Sequence, residues 1–372
     1  MINFFSLKTS SFGLSISDSA VKIANLEKKG RFLKLSSWGE FFLEKGAIEE
    51  GEIKNEDIFA KQLNGFLIKI KGEKLKTKNV IISLPEKKAF FTIIQMPKMK
   101  KEELDMAVPF EVENYVPFSA EEIYSDFQII KPLKNSLDHL DILVGVIPKK
   151  IVDPYVNCVK KAGLFPSALE IEPQSICRSL IKKEISPFPV LIIDFEEDYT
   201  NLIIFSGYSI RFAFSMPISS FQLNQAVSKS LNIDLKEAEK MKIKHGLQIN
   251  SNKDKTKDKE TAKKVSEAMI PILSDLAGQI KKYIGYYQTH SEHQHLIEKS
   301  QSIEKIIVCG KEANLKGLIS FLSFSLNMPL EIANPWINIL PEPLKEVPDM
   351  SFEESLGYAA PLGLALRGIK GE

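Results

Sequence analysis

Apolar and polar residues alternate along the opening of the chain, as they do in strands that bury one face. This alternation predicts three strands, at Phe12–Ser17, Ala20–Leu26 and Phe32–Leu43. Apolar residues then recur at helical spacing, which predicts an amphipathic helix over Asn55–Lys71. A short apolar run at Val80–Leu84, closed by Pro85, predicts a buried strand. The chain therefore opens with a strand meander, a helix and a further strand.

The segment from about Phe90 to Leu164 has a pattern of its own, in the order strand, helix, strand, strand, helix. The predicted elements are Phe90–Met96, Lys100–Tyr115, Ile123–Pro132, Leu140–Ile147 and Ile151–Ala162. Pro109 lies inside the first predicted helix and should bend, interrupt or shorten it, because proline lacks a backbone N–H. The order predicts a compact α+β insertion.

The second half of the chain repeats the opening pattern after Pro187-Phe188-Pro189, which predicts a rigid linker. Strands are expected at Val190–Asp194, Thr200–Phe205, Ser209–Met216 and Ile306–Cys309. Helices are expected at Ser219–Leu231, Asp234–Lys244, Val265–Ile297 and Ser355–Leu366. Asn250–Lys264 is almost wholly Lys, Asp, Thr and Glu, which predicts a mobile loop.

Composition narrows the class of protein. The chain has 372 residues, 44% of them hydrophobic, and a net charge of +1, so it can bury a large core but lacks the charge that attracts nucleic acid. Arginine, whose planar fork recognises phosphate and guanine, occurs only at positions 31, 178, 211 and 367. No apolar run approaches the roughly 20 residues of a membrane span. We therefore expect a cytoplasmic protein without direct membrane insertion or a nucleic-acid partner.

The cysteines and histidines predict neither a disulfide set nor a metal site. The three cysteines are widely spaced in apolar surroundings, as reduced core residues are: Cys158, Cys177 and Cys309. Three histidines lie close together without the cysteines or further carboxylates of a zinc site, so a solvated helix end is the favoured interpretation of His290, His293 and His295.

Three polar loops lie beside apolar runs in the two halves of the chain, at Gly13–Lys22, Val190–Leu202 and Ile306–Leu315. Their order resembles the phosphate-1, phosphate-2 and adenosine loops of the actin-like ATPase fold. The whole chain resembles the PilM family of type IV pilus assembly proteins, with the cell-division protein FtsA as a more distant relative. Further similarities are Met96-Pro97, Glu113-Asn114-Tyr115-Val116-Pro117-Phe118 and Ala162-Gly163-Leu164.

The resemblance implies an α/β protein with the actin-like ATPase fold, in which two ribonuclease-H-like cores are duplicated and an α+β subdomain is inserted. The first core subdomain (1A) would comprise 1–86, completed by 165–186 and a closing helix at 352–372. The inserted subdomain (1C) would be 87–164. The second core subdomain (2A) would be 187–218 and 303–351, and the helical subdomain (2B) 219–302, with its mobile loop at 250–264.

The resemblance also implies a nucleotide site, whose candidate residues are Ser17, Ser19, Asp194, Thr200, Gly310 and Lys311, with Ser17 and Lys311 at positions where the family usually has glycine. The family's usual metal-site aspartate falls on Ser15, and its second-loop glycine is replaced by Glu196, followed by Glu197 and Asp198. A carboxylate about 5 Å from a phosphate costs roughly 3 kcal/mol at an effective dielectric near 20. We therefore expect ATP and Mg²⁺ to bind weakly or not at all, and assign neither a catalytic nor a metal-ligating residue. An ordinary polar turn and an active ATPase are the alternatives.

The resemblance implies a partner as well: a PilN-like single-span protein of the inner membrane, whose N-terminal tail binds the family as an extended peptide between the first core and inserted subdomains. Such a partner would recruit the chain to the inner face of the membrane. The pilus motor ATPase and a second copy of this chain are further candidate partners. The local candidate for tail binding is the tract Tyr115, Val116, Pro117 and Phe118, for which plain core packing is the alternative.

Two other functions are alternatives to pilus assembly. An FtsA-like division protein would carry a membrane-targeting helix after the closing helix, whereas the sequence stops soon after Leu366, at Glu372. A sugar-kinase-like phosphotransferase would need an acidic residue at the position of Ser15. The segment Ile337-Asn338-Ile339-Leu340-Pro341 resembles a PilN-like tail, and is expected either to be an ordinary connection or to compete with that tail.

Overall fold

The molecule is built around two large sheets of the same topology, one from each half of the chain. The computed structural model describes residues 10–30, 32–131, 138–247, 256–289, 302–341 and 347–370. The first half contributes β1 (Phe12–Ile16), β2 (Ala20–Lys29), β3 (Phe32–Phe42), β4 (Ile48–Glu49), β5 (Glu52–Ile53), α1 (Glu56–Leu67), β6 (Lys71–Gly72) and β7 (Asn79–Leu84).

The insertion and the return to the first sheet come next along the chain. They comprise β8 (Phe90–Pro97), α2 (Lys101–Val112), β9 (Ile123–Ile129), β10 (His139–Pro148), α3 (Lys149–Lys161), β11 (Phe165–Ile171) and α4 (Glu172–Leu180). In the insertion the strand order is β8-β10-β9, so β9 lies at an edge. In the first sheet the order is β11-β7-β1-β2-β3-β6, which leaves β11 at an edge too.

The second half builds the other large sheet and its helices. Its elements are β12 (Ser186–Phe195), β13 (Thr200–Gly207), β14 (Ser209–Met216), α5 (Ser220–Leu231), α6 (Leu235–His245), α7 (Thr256–Thr289), β15 (Lys305–Cys309), α8 (Leu318–Leu326), β16 (Leu330–Ile332), α9 (Phe352–Ser355) and α10 (Ala359–Lys370). The sheet order is β14-β13-β12-β15-β16.

Strand pairing establishes the duplication. In the first sheet β1 pairs antiparallel with β2, β2 antiparallel with β3, and β7 parallel with both β1 and β11. In the second, β12 pairs antiparallel with β13, β13 antiparallel with β14, and β15 parallel with both β12 and β16. Each half is therefore an antiparallel meander extended by parallel strands, and the predicted duplicated α/β architecture is confirmed.

Apolar side chains fill separate cores on the faces of these sheets. The second sheet packs on α5, α7 and α8 through residues such as Ile192, Leu273 and Leu322. The first sheet has α1 and α3 on one face, with Phe59 and Tyr155, and α10 on the other. The insertion has a core of its own beneath α2.

Three local predictions were wrong or incomplete, the first of them at Pro109. Helix α2 runs through Pro109 without interruption and ends at Val112, not at Tyr115. Asp105, whose carbonyl loses its helical partner at Pro109, is exposed. Water can therefore replace the missing hydrogen bond, and the predicted interruption does not occur.

The second error concerns the lysine-rich segment. Helix α7 begins at Thr256, so residues 256–264 are helical and not a mobile loop, whereas 250–255 lie outside the described residues. Lys264 pairs with Glu260 at 2.9 Å one helical turn away, and Asp258 pairs with Lys244 of α6 at 2.9 Å. Charged side chains thus support the first turns of α7, which precede the apolar face that begins at Val265. The part of the predicted helix after Thr289, with the histidine cluster, also lies outside the described residues.

The third error concerns the predicted linker. Pro187 and Pro189 lie inside β12, at an irregularity in the pairing between Ser186 and Val190. Proline is tolerated there because the ladder does not require its N–H.

The segment Ile337-Asn338-Ile339-Leu340-Pro341 is an ordinary connection. Ile339 is buried, and the side chain of Asn338 donates to the carbonyls of Arg178 and Ile181 at 2.9 and 2.7 Å.

Candidate functional site

The three polar loops meet in a cleft between the two large sheets. The cleft has a cavity volume of about 20 Å³, which is room for about one water molecule. Of the six predicted nucleotide residues, four line it: Ser17, Ser19, Asp194 and Lys311. The loop after β12 brings further side chains to the cleft, with Lys22, Glu40 and Glu172 from the first half.

The turn between β1 and β2 is held by an acid of the second half. Ser17 Oγ and Ser19 Oγ donate to Asp198 Oδ2 at 3.1 and 2.7 Å, and the Ser19 N–H donates to the same oxygen at 2.9 Å. Burial raises the pKa of Asp198, against the opposing effect of these bonds. The predicted phosphate donors of this turn are therefore turned toward a carboxylate of the chain itself.

A lysine of β2 crosses the cleft beside this turn. Lys22 Nζ donates to Glu196 Oε2 at 3.0 Å and to the carbonyl of Gly357 at 2.8 Å, and lies 3.9 Å from Glu40 Oε1. Burial disfavours the charge on Lys22, but Glu196 and Glu40 outweigh it and raise the lysine's pKa. Lys22 is therefore a buried cation that joins the two halves.

The third loop supplies a second lysine. Lys311 Nζ pairs with Glu197 Oε2 at 3.0 Å and with Glu239 Oε1 of α6 at 3.1 Å. Burial opposes its charge, yet these carboxylates raise its pKa. Before it, Gly310 has φ +87°, and a Cβ there would lie 2.4 Å from the Phe195 carbonyl oxygen. Gly310 thus allows the third loop to pack directly on β12 and does not itself line the cleft.

Thr200 and Asp194, the two predicted residues not yet described, form hydrogen bonds at the strands that flank the second loop. Thr200 is buried outside the cleft lining and donates from Oγ1 to the Ile218 carbonyl at 2.6 Å. Asp194 accepts from Cys309 Sγ at 3.3 Å, and burial raises its pKa. These contacts position the backbone of the loop.

Glu172, which the sequence analysis did not single out, lies at the bottom of the cleft at the start of α4. Ser15, Tyr199 and Asn201 donate to its carboxylate at 3.4, 2.7 and 3.2 Å. Burial, together with Asp194, raises the pKa of Glu172 to about 7. The sequence offers one signal for Glu172, a polar residue directly after strand β11. The hydrogen-bond partners of Glu172, however, lie in distant parts of the chain.

A second buried acid lies close by. Glu86 and Glu172 line a small cavity of about 10 Å³, also lined by Tyr199 and Asn201. Burial, and then repulsion from Glu172, raise the pKa of Glu86 to about 8. Its Oε2 is buried without a hydrogen-bond partner in the structure. The floor of the cleft thus carries several carboxyl groups for which ionisation is unfavourable.

A larger cavity adjoins the cleft. It has a volume of about 350 Å³ and shares Lys22, Glu40 and Lys311 with the cleft. Its other walls come from α6 and from the segment around Tyr358. Pockets for small organic ligands have volumes from roughly 300 Å³ upward, so this cavity, unlike the cleft, reaches the size of such a pocket.

A separate groove of about 370 Å³ lies between the insertion and the first sheet. One wall is β9, from Tyr124 to Gln128, and the other is formed by β11, Gln174 and Arg178 of α4, and Arg367 of α10. Arg178 binds Glu170 through two nitrogens, at 2.8 and 2.6 Å, and Arg367 lies 3.5 Å from the same carboxylate. Arg178 also lies 3.8 Å from Glu184, so two guanidinium groups that are paired with carboxylates lie at one end of the groove.

The tract predicted to bind a partner lies elsewhere on the insertion. Val116 is part of the insertion's core, Phe118 packs edge-on against Phe90 at 5.7 Å between ring centroids, and Tyr115 is exposed. None of Tyr115, Val116, Pro117 and Phe118 lines the groove.

Two classes of feature are missing from the described residues. No three histidine, cysteine, aspartate or glutamate side chains among them are grouped so as to hold a metal ion. Within the same ranges, no helix combines the length and the apolar character needed to cross a membrane.

Comparison with known proteins decides the family. A family model described as type IV pilus assembly protein PilM matches residues 13–369, which is nearly the whole chain. The chain belongs to the PilM family. Membership of the PilM family connects it with type IV pilus assembly.

Solved structures confirm the actin-like fold of this PilM-family chain. A PilM–PilN type IV pilus biogenesis complex is similar with a TM-score of 0.76 and 23% identity, covering 97% of this chain and 99% of that one. The ethanolamine utilization protein EutJ from Carboxydothermus hydrogenoformans has a TM-score of 0.53 and 13% identity, over 96% and 89%. An MreB of Spiroplasma citri bound to ADP has a TM-score of 0.53 and 11% identity, over 97% of both chains.

Proposed function

We propose that this chain is a cytoplasmic adaptor of type IV pilus assembly, which binds the N-terminal tail of a PilN-like inner-membrane protein in the groove between β9 and β11. The observation that carries the proposal is the groove itself, bordered by two edge strands. The similar PilM–PilN complex supports the choice of partner. Binding of the tail would hold the adaptor at the inner face of the membrane. The pilus motor ATPase and a second copy of the chain stay predictions.

The chemistry of the groove fits an extended peptide. An edge strand offers its backbone N–H and C=O groups to an added strand, and pockets select alternate side chains. The floor of the groove is apolar, with Leu84, Ile147 and Val152. At the end with Arg178 and Arg367, the guanidinium N–H groups are donors suited to a carboxylate or a carbonyl oxygen. We expect a segment with alternating apolar residues and such an acceptor at one end.

The division into subdomains is part of this proposal. The tail would bind between the inserted subdomain (87–164) and the first core subdomain (1–86 with 165–186 and 352–372). The second core subdomain (187–218 and 303–351) and the helical subdomain (219–302) would lie on the other side of the cleft. The adaptor would thus bind its partner with one half of the molecule.

We further infer that Mg-ATP binds weakly or not at all, because the cleft does not fit it. The cleft has a volume of about 20 Å³ and is lined by Glu40, Glu172, Asp194, Glu196 and Glu197 against two lysines. A polyphosphate with its metal would have to displace the existing ion pairs and approach uncompensated carboxylates. Calorimetry is expected to give no saturable binding below about millimolar ATP, and sub-micromolar affinity would contradict this part.

A peptide of the PilN-like tail tests the adaptor function. Gln128→Trp places a large side chain on the wall of the groove, and should weaken tail binding at least about tenfold by calorimetry. Gln95→Trp is the matched control, because Gln95 is exposed on β8, at the opposite edge of the same sheet. Equal affinity of the two variants would contradict binding in the groove, and no tail binding by the unaltered chain would contradict the adaptor itself.

A further inference from the structure

The loop after β12 carries three consecutive acids, Glu196, Glu197 and Asp198, which we call the acidic loop. Each of the three carboxylates accepts from a donor that belongs to one of the other two polar loops. Acids in a row ordinarily repel one another and face water. Here the side chain of Glu196 is only 16% exposed, so the position of this carboxylate depends on a cationic partner.

The contact of Asp198 with the first loop has the form of an anion site. One oxygen receives the Ser19 N–H at 2.9 Å together with the hydroxyls of Ser19 and Ser17 at 2.7 and 3.1 Å. A backbone N–H and hydroxyls of a tight turn are the donors with which turns bind phosphate. Such bonds to an ionised oxygen are stronger than those between neutral groups.

The other two acids use the remaining cations of the cleft. Glu196 receives Lys22 at 3.0 Å, and Glu197 receives Lys311 at 3.0 Å. Glu196 therefore joins the second loop to β2 of the first half, and Glu197 joins it to the third loop. The three acids of the acidic loop thus pair with both lysines that line the cleft and accept from the hydroxyl donors of the first turn.

We propose that the acidic loop is a built-in substitute for nucleotide phosphate, which holds the three loops together and keeps the cleft closed without a ligand. The proposal rests on the inferred weak binding of Mg-ATP and gives its cause. A tethered carboxylate loses little freedom when it meets these donors, whereas free polyphosphate must lose its translational freedom and its hydration. The intramolecular anion therefore excludes the external one.

The adjoining cavity makes the proposal specific. That cavity has about 350 Å³, shares both lysines with the cleft, and so already offers room for the nucleoside end of a ligand. In the unaltered chain, the donors that could bind the phosphates are already paired with the acidic loop. Neutralising the acidic loop should therefore create a phosphate site with little change elsewhere in the fold.

The test is the triple variant Glu196→Gln, Glu197→Gln, Asp198→Asn in the full chain. We expect its affinity for Mg-ATP to exceed that of the unaltered chain at least about tenfold in calorimetry. We also expect the Ser19 amide to exchange its hydrogen at least about tenfold faster in the free variant, and to slow again when ATP is added. The matched control neutralises three exposed acids outside the cleft, Glu44→Gln, Glu102→Gln and Glu304→Gln, and should change neither quantity.

The outcomes separate this proposal from the proposed function. No gain in ATP affinity by the triple variant, with weak binding by the unaltered chain, overturns the phosphate substitute and leaves the inferred weak binding standing. Tight ATP binding by the unaltered chain overturns both, whereas tail binding in the groove is measured independently. If the triple variant does not fold, Asp198→Asn alone must accelerate exchange at Ser19, and an unchanged rate overturns the proposal.

Discussion

The cleft and the groove are both concave sites at a boundary between sheets. They differ in whether their polar groups already have hydrogen-bond partners within the chain. The cleft has about 20 Å³ and its donors are bound to carboxylates of the same chain. The groove has about 370 Å³ and is bordered by β9 and β11, which are edge strands of their sheets. A site whose polar groups pair internally stabilises the fold, whereas a site with free strand edges is suited to a partner. We therefore propose that the cleft stabilises the fold and that binding takes place in the groove.

One helix connects the two sites. Glu172, at the start of α4, accepts hydrogen bonds in the cleft, while Gln174 and Arg178 of the same helix line the groove. The cleft therefore fixes the position of one groove wall. This arrangement predicts that damage to the cleft appears first as lost stability, and damage to the groove as lost binding.

The largest expected effect is that of Gly310→Ala. The new Cβ would lie 2.4 Å from the Phe195 carbonyl oxygen at a φ of +87°, so the third loop must leave β12. We expect a loss of more than about 3 kcal/mol in the free energy of unfolding, measured with urea. Gly163→Ala is the control: its φ is +75° but nothing lies within 4 Å of a Cβ there, so about 1 kcal/mol is expected. Equal losses would contradict the tight packing of this loop.

A smaller loss is expected for Lys22→Met, which removes the cation between the two halves. The free energy of unfolding should fall by about 3 kcal/mol, because Glu196 would be left largely buried without its cationic partner. The same substitution at Lys76, whose ion pairs with Glu27 and Glu73 are exposed, should leave the unfolding curve unchanged within error. A stable Lys22→Met variant would show that the halves do not depend on this contact.

The smallest expected effect concerns the pH dependence of stability through Glu86. Its pKa is raised from 4.5 to about 8 in the folded chain, so the folded state holds the proton more tightly than the unfolded state. The stability this contributes is complete below about pH 4.5 and is lost as the pH rises through 8. Glu86→Gln should remove part of that loss, about 2 kcal/mol between mildly acidic and alkaline pH. If the variant and the parent lose stability in parallel, the carboxyl is not held protonated.

The sequence predicts the two meanders and their helices because alternation and helical periodicity are local properties. It does not predict the helix at 256–264, whose support is ion pairs such as Lys244–Asp258. Nor does it identify Pro187 as part of β12, because an irregularity in pairing depends on the neighbouring strand. At the cleft, the sequence identifies the acids 196–198 as unfavourable for phosphate. Their partners are not apparent, since Lys22 and Glu196 meet only when the two halves fold together.

The most direct test of the whole account is hydrogen exchange of the unaltered chain, segment by segment, with the PilN-like tail peptide and separately with Mg-ATP. We predict that the peptide slows exchange in Ile123–Ile129 and Phe165–Ile171, the two strands that border the groove. Mg-ATP should leave the turn at Ser17 and the acidic loop unchanged, because their donors and acceptors are already paired. Protection of that turn by Mg-ATP, with no protection of the groove strands by the peptide, would contradict the account.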